Sequence, residues 1–143
     1  MGKVSYILFF IFSLVLGAIV LLLSTGWFLA LFGILLLPVI IFHVVAGIMA
    51  INRYPLLVRW SRWSWFAYLV FAAFRPDLDD VGNYSGYTVF LHKLGVIDDY
   101  YIESDSLHFY IAIAALIAMI VLDLLICINV RRQKNLPPIN EYV

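Results

Sequence analysis

The chain reads as an all-α integral membrane protein. It is expected to have four transmembrane helices, both termini in the cytoplasm, and a structured acidic extracytoplasmic loop between helices 3 and 4. Three observations predict this. Of 143 residues, 65% are hydrophobic and only 13% charged, whereas an ordinary soluble domain is about half apolar and about a quarter charged. Several runs approach or exceed the roughly 20 apolar residues that a helix needs to cross a bilayer. The basic residues also fall on alternate connections, as the positive-inside bias requires. At this length one domain, residues 1–143, is expected.

The elements follow in order. Residues 4–24 form the first span. This run lacks an A-x-A-like exit, outruns a signal peptide and is followed at once by another apolar run, so it is read as retained. Only "STGW" separates it from the second span, 27–51, and a tight antiparallel hairpin of these two helices is expected. Pro38 lies inside the second span. The third span, 56–74, comes from "YPLLVRWSRWSWFAYLVFAAF" and is the hardest to place, because Arg59 and Arg62 shorten its apolar core. Their long stems allow the guanidinium groups to reach the interface, with Trp60, Trp63 and Trp65 expected at headgroup level. The alternative is an amphipathic helix lying on the surface. Residues 75–108 form the outer loop, and 109–130 the fourth span. The tail "KNLPPINEYV" has little to bury.

Charge favours the crossing. With four spans and the N-terminus inside, Lys3, Arg53, Arg59, Arg62, Arg131, Arg132 and Lys134, seven of the nine basic residues, lie inside. Only Arg75 and Lys93 lie outside. Three spans would separate "RRQK" from Lys3, against the bias. The expected location is a plasma (inner) membrane, multi-pass, with the lipid bilayer as first partner.

Two ionisable residues interrupt the apolar runs. His43 lies 16 residues beyond Trp27, and Asp123 lies 14 beyond Phe109. At 1.5 Å per residue these are about 24 Å and about 21 Å from the outer ends of two helices that run the same way. His43 shares a face with Val39, Ala46, Gly47 and Ala50, and Asp123 with Ala112, Ala115, Met119 and Cys127. Small residues at this spacing allow close helix approach, and a carboxylate in hydrocarbon needs a partner. His43 and Asp123 are therefore expected to meet as an intramembrane polar pair. Such a pair serves either as glue between helices or as a proton site.

The outer loop holds Asp77, Asp79, Asp80, Asp98, Asp99, Glu103 and Asp105 against two bases, five negative charges in excess. "DLDDVGN" fails as an EF-hand, since Val81 and Thr88 occupy its fifth and twelfth positions. Asp77, Asp79, Asp80, Asp98 and Asp99 remain a candidate weak cation site beside the simpler reading of a solvated acidic face. Between the two clusters, "YSGYTVFLHKLGVI" reads as a short amphipathic helix. Tyr84, Tyr87, Phe90, His92, Tyr100 and Tyr101 mix aromatic and polar character suited to an interface, and are taken as candidate partner contacts.

Other chemistry is thin. No H-E-x-x-H, G-x-S-x-G, Walker loop or Cys–His metal spacing occurs, so neither an enzyme nor a metal site is expected. His43 has no histidine mate at its depth, and no haem or other cofactor is expected. The single cysteine, Cys127, forms no intrachain disulfide. Too few basic residues lie off the membrane edge to bind nucleic acid. The expected role is that of an accessory or scaffold subunit, partnered by other membrane subunits or by itself. A second class is a proton- or ion-coupled transporter or channel subunit using His43 and Asp123. A third is a membrane immunity protein, for which no particular residue argues.

Overall fold

The computed structural model describes residues 3–23, 26–52, 57–78, 82–101 and 106–134. It is all-α apart from one small hairpin. In chain order the elements are α1 (Lys3–Leu23), α2 (Trp27–Asn52), α3 (Val58–Phe74), β1 (Pro76–Leu78), β2 (Asn83–Ser85), α4 (Gly86–Lys93) and α5 (Ser106–Lys134). Three of these helices, α1, α2 and α5, are long and apolar enough to cross a membrane. This marks the chain as a membrane protein. At 17 residues, α3 is about 25 Å long at 1.5 Å per residue.

Although it is the least apolar of the long helices, α3 is the centre of the bundle. It packs most extensively on α5 and next on α1, while α2 leans chiefly on α5. Its buried residues Ser61, Ser64, Trp65, Tyr68, Phe71 and Ala72 recur at helical spacing and form one continuous face. Arg59, Trp60, Arg62, Trp63 and Phe66 lie on the exposed face. Tyr6 meets Ser61 near the start of both helices, and Gly17 meets Tyr68 farther along. Hence α1 and α3 run the same way, and the His43–Asp123 contact sets α2 beside α5 at matching depth.

One expectation needs correction. Among the described residues α1 packs more on α3, and α2 more on α5, than α1 and α2 pack on each other, while residues 24 and 25 between them lie outside the described residues. A Cβ at Gly17 would collide with the Tyr68 ring, and one at Gly47 with Phe10 and the Trp65 indole. Glycine at these positions lets Tyr68 of α3 reach the backbone of α1, and Phe10 of α1 together with Trp65 of α3 reach that of α2. The same packing overturns the expected placement of Trp65. It is 0% exposed, with its ring 4.7 Å from Phe10 edge-on. Phe10, His43 and Tyr68 enclose the ring that a headgroup position would expose. Trp60 and Trp63 do face outward.

Between α3 and α5 the chain forms a compact end-piece. Strands β1 and β2 pair antiparallel, with Asp77 opposite Tyr84. The backbone N–H of Ser85 donates to Thr88 Oγ1 (3.1 Å) at the start of α4. Gly95, at φ +69°, ends that helix in the left-handed conformation glycine tolerates.

Candidate functional site

The polar cluster is built by four helices. Asp123 sits on α5 and His43 on α2, and each is 1% exposed. His43 Nδ1 lies 2.8 Å from Asp123 Oδ2. Ser64, from the buried face of α3, donates its hydroxyl to Asp123 Oδ1 at 2.6 Å. Each carboxylate oxygen thus receives one donor, as a buried carboxylate requires. A second pair lies close by, where Tyr6 of α1 and Ser61 of α3, both 0% exposed, share a hydrogen bond. Small residues make the approach feasible. Ala46 and Ala50 flank His43 on α2, and Ala112 and Ala115 lie on the Asp123 face of α5, all buried.

The remaining edge of His43 is apolar. Its ring lies 3.9 Å from Trp65 and 5.2 Å from Tyr68, centroid to centroid. With Nδ1 directed at Asp123, His43 Nε2 is buried without a hydrogen-bond partner, as is Ser13 Oγ on α1. The indole Nε1 of Trp65, packed on His43, is a third such atom in this core.

Serine, histidine and aspartate together raise the question of nucleophilic catalysis. The geometry is not that of a triad. There the serine and the aspartate use opposite ring nitrogens, so the base can accept the hydroxyl proton. Here both approach Nδ1, with Ser64 Oγ at 3.2 Å, and the Ser64 proton is directed to the carboxylate. Among the described residues, no three His, Cys, Asp or Glu side chains converge as metal ligands.

At the other end of the bundle the loop residues are mostly turned to internal use. Asp77 is no solvated acid. It is 3% exposed, pairs with the equally buried Arg75, and accepts the backbone N–H of Gly26 at 3.2 Å. The expectation that Asp77 joins an open cation site is thereby corrected, because its carboxylate is enclosed with Arg75 and the Gly26 N–H. Asp98 and Asp99 are exposed, and Asp99 accepts the Tyr101 N–H at 3.1 Å. Asp79 and Asp80 lie outside the described residues.

The aromatic contact set divides in the same way. Tyr84 is 4% exposed, with the rings of Tyr100 and Tyr101 5.6 and 6.4 Å away, so it is core rather than a surface for a partner. Tyr87 bonds His108 Nε2 at 3.1 Å, and Phe90 packs on the main core. His92 donates to the carbonyl of Ile97 at 3.2 Å. Tyr100 and Tyr101 are half-buried and share a hydroxyl contact of 3.1 Å. What binds these rings is the end-piece itself.

Sequence reasoning brings forward His43 and Asp123 but overlooks Ser64, Ser61 and Tyr6. A signal was present. In "SRWSWFAYLVFAA", positions 61, 64, 65, 68, 71 and 72 trace one helical face opposite Arg59, Arg62 and Phe66. Serine is common enough in helices that attention goes to the arginines instead. The chain has no match among protein-family models, curated proteins or solved structures.

Proposed function

We propose that this protein is a four-span scaffold or accessory subunit of a membrane assembly, either with other subunits or with itself, its two termini in the cytoplasm. One observation supports the reading: the buried polar side chains are satisfied inside a single chain, His43 and Ser64 by Asp123, and Tyr6 by Ser61. They stiffen the bundle. What the protein then offers its surroundings is shape, a rigid set of aliphatic helix faces such as Ile34, Leu35, Ile117 and Val121. The fourth span in this reading is α3, whose arginines lie on its exposed face toward one end.

A second reading, a proton- or ion-coupled carrier, is favoured by a different observation. His43 Nε2 and Ser13 Oγ are buried polar atoms with no hydrogen-bond partner, and intramembrane ionisable groups mark ion paths. Purification of tagged protein in mild detergent, with mass spectrometry of what co-elutes, separates the two. A stoichiometric partner, or a homo-oligomer that moves no protons in liposomes, supports the scaffold. A homo-oligomer that moves protons, with flux lost in Asp123→Asn, replaces it with the carrier.

A further inference from the structure

We propose that the groove between α2 and α5 is a binding site for an anionic phospholipid, one acyl chain lying in the groove and the headgroup phosphate on Arg131. The proposal rests on the membrane setting and on no choice between scaffold and carrier.

The groove has a volume of about 370 Å³. Phe42, Val45 and Met49 form one wall, and Leu124, Cys127 and Ile128 the other. From Phe42 to Met49 on one side and from Leu124 to Arg131 on the other the lining advances seven positions, about 10 Å at 1.5 Å per residue. That is the shape of a slot for part of a hydrocarbon chain, starting at membrane depth and ending at the helix termini. Its floor is soft: Cys127 Sγ lies 4.0 Å from Met49 Sδ, and a flexible thioether adapts to a mobile chain.

Charge selects the headgroup. Arg131 stands at the end of the groove and is exposed, as is Arg132 next to it. Among the described residues, no carboxylate stands at this end of the bundle. Asp123 is turned inward to His43 and Ser64, and Asp77, Asp98 and Asp99 belong to the opposite end. A guanidinium matches a phosphate oxygen pair. A zwitterionic lipid would bring an ammonium group with no anion to meet it, whereas a lipid with net negative charge meets only cations. A water-soluble phosphate would have no use for the apolar slot.

Native mass spectrometry of the detergent-purified full chain tests this, using phosphatidylglycerol or phosphatidylcholine with identical acyl chains. Melting midpoints establish that each variant is folded. Phosphatidylglycerol should be retained about fivefold better than phosphatidylcholine. Arg131→Gln should abolish that preference, while Arg62→Gln, at the same end but beside a different, open groove with Trp63 and Phe66, should keep it. Val45→Trp, which fills the slot from a partly exposed position, should lower retention of both lipids. Equal retention of the two lipids overturns the proposal. So does an equal loss in Arg62→Gln and Arg131→Gln, which would mean diffuse attraction, or unchanged retention in Val45→Trp, which would mean that a chain does not use the slot.

Discussion

Removing the carboxylate at position 123 should cost more than the bond it makes to His43. In Asp123→Ala both His43 Nδ1 and the Ser64 hydroxyl lose their nearest acceptor, leaving Ser64 only its longer contacts to His43 Nδ1 and the Met119 carbonyl, and a buried group left unsatisfied costs about 1–3 kcal/mol. A double-mutant cycle of Asp123→Ala and His43→Ala isolates the pair itself. The coupling expected is about 0.6–1.7 kcal/mol, the range found for hydrogen bonds between membrane helices, read from unfolding in mixed detergent. A coupling near zero would show that the pair contributes nothing to holding α2 on α5. Gly17→Ala should destabilise by about 1–3 kcal/mol by the same assay, the usual penalty for overpacking, because the new methyl group meets the rigid Tyr68 ring. His43 and Asp123 were legible in the sequence because an ionisable group in an apolar run has few innocent explanations. Gly17 was not. A glycine in a span becomes meaningful only once the ring that fills its missing side chain is known, and Tyr68 is 51 residues away.

Among the elements, α3 shows where pattern reading loses resolution. Its hydropathy is diluted by Arg59 and Arg62, so it reads as the weakest helix, yet it is the one that α1 and α5 pack against most closely. Hydropathy averages over all faces, whereas packing uses only one. Asp77 illustrates a second limit: composition assigns it to an acidic surface, and the fold encloses it with Arg75 and the Gly26 N–H. Acids in alternation look alike in sequence, and burial is decided by the hairpin that carries them. Asp77→Ala removes the carboxylate that pairs with Arg75 and accepts the Gly26 N–H. Removing one member of a buried pair costs up to about 3–5 kcal/mol, so the melting midpoint should fall. Digestion within the segment between α3 and α5 should speed up with it. Asp98→Ala, at an exposed position, serves as the control and should leave both unchanged. A similar response in the two variants would mean that the latch carries no load.

Over the whole molecule, charge and hydrophobic contacts sort the chain into two ends. Lys3, Arg59, Arg62, Arg131 and Arg132 gather where α1 and α3 begin and α2 and α5 finish. Beneath them lies a small apolar cluster of Ala46, Ala50, Leu57, Ile126 and Val130. The exposed acids Asp98 and Asp99 and the Arg75–Asp77 pair occupy the other end. If α3 crosses the membrane as the central strut of the bundle, these ends lie on opposite sides and the positive end is cytoplasmic. In a Cys127→Ser background, single cysteines at Val96 and at Arg132 then differ in access. An impermeant maleimide should label the first in intact cells and the second only after lysis. A cysteine at Lys3 should behave like the one at Arg132, because an even number of crossings returns the chain to its starting side. If positions 3 and 132 label from opposite sides, the chain crosses an odd number of times. Then α3 lies within one leaflet, Ser64 cannot reach Asp123 at membrane depth, and the bundle and the four-span scaffold fail together. The labelling therefore tests the packing as much as the topology, since the Ser64–Asp123 bond exists only where α3 and α5 share the hydrocarbon core.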